Sequence, residues 1–176
     1  MFGLFGPKSR DLLKTLSEDN FENDQFRFGF AKFITIDGVK IWTQRLSYVG
    51  ELGYELYVDL KDAKKIYELL IEKGKDFNLS NCGMHAMDIM RMESGFLHWG
   101  HDISPEENQY QAGLAFTISN KKDVDFIGKQ ALEKIKQNKV KTRFSMFTLK
   151  ESEPGKPLLL HDEPIYEGEK IIGRST

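Results

Sequence analysis

The sequence predicts an α+β fold with mixed, mostly antiparallel sheets and packed helices, followed by part of a small β-barrel-like C-terminal unit. The hydrophobic period changes from helical spacing to a β-rich pattern after Phe26, and returns to helical spacing after Asp62. Composition supports a packed core, since 40% of the 176 residues are hydrophobic and 12% are aromatic. The pattern of apolar and polar residues changes again after Asn138. We therefore predict one domain over residues 1–139 and an incomplete second domain over residues 140–176.

The N-terminal third begins with a helix and continues into a hairpin. Pro7 suits a first helical turn, and the leucines that follow it form a helical stripe that ends near Ser17. Asp37-Gly38 separates two β-rich runs and is typical of a type I′ turn, because both central residues of that turn need a positive φ. We therefore predict strands at about 28–36 and 39–48.

A third strand and two helices are predicted in the middle of the chain. The strand covers 54–58, after a glycine-containing loop. Asp62 can cap the next helix, whose apolar residues recur at helical spacing until Gly74 stops it. Another helix is predicted from about residue 83 to residue 94, followed by the stop signal Gly95.

The last third mixes strand and helix signals. Residues 112–119 and 143–149 have strand-like patterns, and Asp125 can cap a helix between them. Two prolines and a glycine predict a turn-rich link at 154–157. Residues 164–176 predict a final hairpin around Gly168.

Charge and cysteine content exclude several classes of protein. The 25 basic and 27 acidic residues give a net charge of −2, which argues against binding to nucleic acid or to a membrane surface. No apolar run approaches the ~20 residues of a membrane-spanning helix. Cys82 is the only cysteine, so no intrachain disulfide can form. We therefore expect a cytoplasmic protein, or one of the mitochondrial matrix in a eukaryote.

The segment from Arg45 to Tyr57 is the first candidate site. Gly50 and Gly53 allow a tight turn or a close backbone approach, and the flanking residues read as strands. Tyr48 and Glu55 would then lie on opposite arms of a hairpin and meet across it. A carboxylate accepts two parallel hydrogen bonds and an aromatic ring offers a stacking surface, which suits a flat heterocycle with two N–H donors. The alternative is a surface glutamate beside a core tyrosine.

The helix predicted from residue 83 carries a second candidate. Asp88 and Arg91 are three residues apart and can pair on one helix face. Arg91 beside an apolar stripe can instead bind an anionic ligand through two hydrogen bonds. Both interpretations stay open on the sequence alone.

Other types of site lack support in the sequence. His98 and His101 are too few to predict a metal site, because no CxxC or HExxH pattern accompanies them. Cys82 lies in no nucleophile motif, and no glycine-rich phosphate loop occurs. We therefore assign no catalytic residue and no metal ligand.

Five ordered blocks together carry a resemblance to a known family. The segment RLSYVGELGYELY resembles the tetrahydrofolate-binding aminomethyltransferases, the family of the glycine cleavage T-protein. The helix GMHAMDIMRMESG and the later blocks WGHDISPEEN, AGLAF and DFIGKQAL follow in the order of that family. Two of the blocks look closest to the C-terminal folate domain of sarcosine and dimethylglycine dehydrogenases. The resemblance covers nearly all of residues 3–176 and implies that residues 1–139 are a central folate-binding domain.

This resemblance implies a cofactor, partners and site residues. Tetrahydrofolate is the implied cofactor, and FAD belongs only to a parent or partner chain that oxidises the amine. Glu55 takes the position of the pterin-anchoring carboxylate, and Tyr48 that of the aromatic residue seven positions earlier. Arg91 matches an arginine near the glutamyl tail, and Trp99 is included among the folate-binding residues. Folate and an FAD-dependent amine dehydrogenase domain or subunit are the expected partners, and a homo-oligomer stays open.

The resemblance also implies departures from the family pattern. The family's N-terminal acidic segment and its last barrel strands have no counterpart, so we expect a chain truncated at both ends. One-carbon transfer to folate is the leading function. Alternatives are a folate-dependent demethylase with another methyl donor and a non-catalytic remnant that binds folate or a partner chain. The iron–sulfur assembly branch is disfavoured because residues 124–130 lack its cysteine.

Overall fold

The chain folds into two units, residues 1–96 and residues 97–176. Helices and antiparallel sheets occur together, so the predicted α+β class is confirmed. The domain boundary predicted between residues 139 and 140 stays a prediction, because Lys139 lies outside the described residues. The computed structural model describes residues 1–119, 124–138, 140–151, 153, 156 and 158–176.

The first unit is built on a four-stranded antiparallel sheet. Its strands are β1 (Phe2–Phe5), β2 (Ala31–Ile36), β3 (Val39–Gln44) and β4 (Gly53–Tyr57), arranged in the order β1-β4-β3-β2. The hairpin between β2 and β3 turns at Asp37-Gly38 with φ values of 45° and 75°, as its sequence predicts.

The edge strand β1 was not predicted from the sequence. It pairs with β4 from Phe2 opposite Leu56 to Phe5 opposite Gly53. The strand is only four residues long and contains Gly3, which has low β propensity, so its local pattern is weak. Pairing with β4, about fifty residues away in the chain, is what makes it a strand.

Three helices complete the first unit. They are α1 (Ser9–Leu16), α2 (Leu60–Gly74) and α3 (Met84–Glu93), close to the predicted ranges. The prediction that Asp62 caps α2 is wrong, because the helix already begins at Leu60 and Asp62 lies in its first turn. The predicted stop after α3 is confirmed, since Gly95 has a φ of 72°.

One face of the sheet packs against α1 and α2 and forms the core. In β4, Tyr54 and Leu56 are completely buried in one cluster with apolar residues of both helices. Successive side chains of a strand point to opposite faces, so Glu55 and Tyr57 lie on the other face. The fully buried aliphatic residues of this core are Leu12, Leu13, Ile34, Ile36, Ile41, Leu56 and Ile66.

The second face of the sheet is an exposed surface, which we call the open face. It carries Phe33 of β2, Trp42 of β3, and Glu55 and Tyr57 of β4. The three aromatic side chains are 51%, 37% and 40% exposed. Burial of one face and exposure of the other is typical of an antiparallel sheet.

The second unit contains a helix and a hairpin. The helix α4 covers Lys129–Gln137, and the hairpin joins β5 (Pro164–Glu167) to β6 (Lys170–Arg174). The predicted hairpin is thus confirmed, with Gly168 at a φ of 63° in its turn. The described residues of this unit include no closed barrel.

Several predictions for the second unit are wrong. Residues 112–119 are a turn followed by a short 3₁₀ helix, because their N–H groups bond to carbonyls only a few residues away. Residues 143–149 form no strand. Asp125 does not cap α4, which begins after Gly128, and its carboxylate accepts the N–H of Phe126 instead. The turn predicted at 154–157 lies mostly outside the described residues.

Within the described ranges, no helix has both the length and the apolar character that crossing a bilayer requires.

Candidate functional site

Glu55 occupies the centre of the open face. It lies on β4 between Gly3 of β1 and Gln44 of β3, and its side chain is half-buried. The Tyr57 hydroxyl donates a hydrogen bond of 2.6 Å to Glu55 Oε2. This bond to a carboxylate, together with partial desolvation and the negative charge, raises the pKa of the Tyr57 phenol above its usual value.

Aromatic side chains cover the part of the open face beyond Glu55. Trp42 lies opposite Tyr57 in the β3–β4 register, and the ring centroids of Trp42 and Phe33 are 4.9 Å apart. The ammonium group of Lys40 lies 4.5 Å from the Phe33 ring centroid. A carboxylate followed by a row of rings can hydrogen-bond and stack on a flat heterocycle.

The predicted close backbone approach at Gly53 is confirmed. A Cβ atom at Gly53 would lie 2.4 Å from the Phe5 ring, and one at Gly3 would lie 2.6 Å from it. The Phe5 ring therefore lies over two glycines that flank Glu55 on neighbouring positions of β1 and β4. This packing needs hydrogen in place of a side chain at both positions.

Tyr48 lies in the loop between β3 and β4 rather than in a strand. The strand predicted to residue 48 ends at Gln44, which is the register partner of Glu55. The prediction that Tyr48 faces Glu55 across a β-ladder is therefore wrong, because Tyr48 lies four residues beyond that pair. Its ring stacks on Phe96, with centroids 6.3 Å apart and planes 9° from parallel.

The Tyr48 loop is attached to the end of α3. Ser94 Oγ donates a hydrogen bond of 3.1 Å to the Val49 carbonyl. Gly50 has a φ of 76°, and a Cβ atom there would lie 2.0 Å from Ser94 Oγ. Gly50 thus provides both the positive φ and the space that this contact needs.

Arg91 is buried at the end of α3. Its Nε donates to Asp88 Oδ1 at 2.7 Å, so the interpretation as an intrahelical ion pair is confirmed. Its Nη1 donates to the Phe96 carbonyl at 3.2 Å. Arg91 therefore stabilises the turn that carries the stacking partner of Tyr48. Its contact with an anionic ligand stays a prediction.

Trp99 belongs to the second unit and is 65% exposed. It lies in a loop held by the Asp102 carboxylate, which accepts the His98 backbone N–H at 2.8 Å and the Thr176 hydroxyl at 3.2 Å. Its isolated bridge to Ile103 closes this loop. The arrangement leaves the indole accessible, and its contact with folate stays a prediction.

His98 and His101 lie beside a third histidine of the second unit. The rings of His98 and His101 are stacked 5.5 Å apart, and the His161 ring meets His101 edge-on at 4.5 Å. Across the described ranges, no three His, Cys, Asp or Glu side chains are arranged to hold a metal ion. Sequence spacing did not reveal His161, which lies in the turn before the final hairpin.

Two clefts of about 340 and 670 Å³ lie elsewhere on the described surface. The smaller lies in the second unit beside Phe126, and the larger lies between the end of α1 and the turn after β2. Neither is lined by Glu55 or its aromatic neighbours. The candidate site is therefore an open surface rather than one of these clefts.

Tyr57 and Trp42 are the site residues that sequence reasoning missed. Both share the face of Glu55, which the period of two along each strand could have revealed. The motif around Glu55 drew attention to the preceding Tyr48 instead.

Comparison with known proteins gives the chain a consistent set of relatives. Residues 1–122 match the family model described as the GCVT N-terminal domain. The chain is 38% identical over 174 residues, 99% of its length, to 4-methylaminobutanoate oxidase (formaldehyde-forming) of Paenarthrobacter nicotinovorans, and covers 21% of that protein. It is 32% identical over its whole length to the mitochondrial dimethylglycine dehydrogenase of Homo sapiens, and covers 20% of it.

An aminomethyltransferase is also among the relatives. The protein of that name from Symbiobacterium thermophilum is 38% identical over 138 residues, which is 78% of this chain and 37% of the relative. The chain thus spans about a fifth of the oxidase and the dehydrogenase, and a little more than a third of this transferase.

The contact between Gly50 and Ser94 predicts that adding one methyl group at residue 50 destabilises the protein. Gly50→Ala should lower the free energy of unfolding by about 1–3 kcal/mol, because it adds a Cβ at positive φ and a clash with Ser94. Urea unfolding measures this change.

The control is the same substitution in a Ser94→Gly background, where the clash is removed and only the backbone strain remains. Gly50→Ala should cost clearly less there. An equal loss in both backgrounds would show that the loop does not pack on Ser94.

Proposed function

Because the chain belongs to the family of the GCVT N-terminal domain, we propose that it is a tetrahydrofolate-binding domain for one-carbon transfer. The observation that carries this proposal is the half-buried Glu55 carboxylate on the open face, held by Tyr57 and continued by a row of aromatic rings. The pyrimidinone ring of a reduced pterin is flat and carries adjacent N–H donors along one edge. The carboxylate matches that edge, and the rings match its faces.

The residues of the first unit fit this ligand. Glu55 Oε2 accepts one hydrogen bond from Tyr57, and a carboxylate offers about four acceptor positions, so a pterin edge can still be bound. Tyr48 offers a second ring, stacked on Phe96. We propose Glu55, Tyr48 and Arg91 as the folate-binding residues of this unit. For Trp99 of the second unit, folate binding stays a prediction from the family resemblance.

The bound folate would supply its N5 as the nucleophile that accepts the one-carbon unit. The protein's part is to hold that ligand in one orientation, and Glu55 does this by fixing the pterin edge. Proximity and orientation of this kind can lower a barrier by as much as ~7–11 kcal/mol. Residues that exclude water would protect a reactive one-carbon electrophile from hydrolysis.

The names of the relatives support a one-carbon unit released from an N-methyl amine. One relative is an oxidase named for forming formaldehyde, and another is a dehydrogenase of dimethylglycine. We propose that this chain works with an FAD-dependent amine dehydrogenase domain or subunit that produces the unit. Relatives named as mitochondrial occur, and a cytoplasmic or mitochondrial-matrix location stays our prediction for this chain.

Tetrahydrofolate should raise the melting temperature of this chain. At a concentration 100 times the Kd, we expect a rise of about 5–10 °C, which corresponds to a stabilisation of about 2.7 kcal/mol. Glu55→Ala should abolish the rise, as measured by differential scanning fluorimetry under anaerobic conditions.

Glu51→Ala is the matched control, because it removes an exposed carboxylate from the neighbouring loop. It should leave the rise intact. A full rise in Glu55→Ala would contradict the assignment of Glu55 as the pterin anchor.

We expect Arg91 to bind the glutamyl tail of folate and not its pterin ring. Arg91→Lys should weaken binding of tetrahydrofolate about tenfold and leave binding of a tetrahydropterin without the tail unchanged, because only the tail carries carboxylates. Isothermal titration calorimetry measures both affinities.

The alternative is that Arg91 acts only by stabilising the turn at Phe96. In that case both ligands should weaken by the same factor, and the proposed contact with the tail would be refuted.

A further inference from the structure

The hydrogen bond between Tyr57 and Glu55 points to a role for a second residue of β4. We propose that Tyr57 is a positioning residue, which holds one oxygen of the Glu55 carboxylate and so fixes the orientation in which the carboxylate meets a ligand's N–H edge. This inference rests on the proposed function and adds a residue to the same site.

The geometry of the strand brings the two side chains together. Residues two apart in a strand share a face. Glu55 and Tyr57 therefore lie together on the open face, whereas Tyr54 and Leu56 lie on the buried core face. The hydroxyl lies 2.6 Å from Oε2, which is the short distance typical of a hydroxyl bonded to a charged acceptor. The contact is local to one strand, so it does not depend on the position of a loop.

Without this hydrogen bond, the Glu55 carboxylate would keep more rotational freedom. Among the described residues, Tyr57 is the one side chain recorded as a hydrogen-bond donor to Glu55. Glutamate has several rotatable bonds, and ordering them on ligand binding costs free energy. A hydrogen bond that orders the carboxylate beforehand reduces that cost, which is the general basis of preorganisation.

The hydrogen bond also leaves the acceptor groups that a ligand needs. Tyr57 uses one acceptor position on Oε2, and the second position on Oε2 and those on Oε1 remain. Two parallel N–H donors can therefore bind while Tyr57 stays in place. Trp42, opposite Tyr57 in the register, lies on the same face of the sheet.

Protonation of the phenol is required for this role. Interaction with Glu55 raises the pKa of Tyr57, so the proton-bearing form is favoured up to a higher pH than in a free tyrosine. Once the pH passes that pKa, the phenolate can no longer donate and repels the carboxylate. Among the described residues, Glu55 is the charged group that acts on the pKa of the Tyr57 phenol.

The test compares tetrahydrofolate binding in four proteins by isothermal titration calorimetry at neutral pH. We expect Tyr57→Phe to weaken the Kd about tenfold, since it removes one charge-assisted hydrogen bond, and Glu55→Gln to weaken it further. Tyr67→Phe is the matched control, because Tyr67 of α2 is 39% exposed and Tyr57 is 40% exposed. It should bind as the wild type does.

A second readout separates positioning from a purely structural effect. Ultraviolet absorbance titration of the ligand-free protein should show one tyrosine of raised pKa that disappears in Tyr57→Phe. In Glu55→Gln that tyrosine should titrate at a lower pH. Raising the pH through this transition should weaken folate binding more in the wild type than in Tyr57→Phe.

The outcomes distinguish the two proposals. If the wild type binds tetrahydrofolate and Tyr57→Phe binds equally well, the positioning role is overturned and the proposed function stands. If the wild type does not bind, both are overturned. If binding weakens in Tyr57→Phe but no tyrosine titration changes in Glu55→Gln, the loss is structural and the positioning role is refuted.

Discussion

The alternation of side chains along β4 is the constraint on which the candidate site depends. Tyr54 and Leu56 are completely buried in a core cluster that includes apolar residues of α1 and α2. Their neighbours Glu55 and Tyr57 must then lie on the open face, because a shift of one residue in register would bury a carboxylate. The packing of the hydrophobic core thus determines the face on which the Glu55 carboxylate lies. The hydrogen bond from Tyr57 then fixes the orientation of that carboxylate.

A second set of contacts organises the loop before β4. Arg91 donates to the Phe96 carbonyl, Phe96 stacks on Tyr48, and Ser94 donates to the Val49 carbonyl. These bonds connect the end of α3 to the loop that precedes Glu55 by a few residues. Arg91 therefore has a structural role that is compatible with a ligand-binding one, since an arginine has five N–H donors.

The sequence predicts the parts of this arrangement that are local. The Asp37-Gly38 turn follows from turn chemistry. The edge strand β1 does not, because its identity comes from pairing with a distant segment. The same reason explains the error at residues 143–149, where alternation alone predicts a strand although no ladder is formed there in the described chain. Tyr48 was misplaced because β3 ends earlier than its pattern suggests.

A crystal structure of this chain with tetrahydrofolate bound tests the central claim most directly, through the distances from the Glu55 carboxylate to the pterin. We predict both carboxylate oxygens within hydrogen-bonding distance of the ring's N–H edge, with the Tyr57 hydroxyl still on Oε2. A pterin bound at another surface, with the Glu55 carboxylate facing only solvent and Tyr57, would contradict the account.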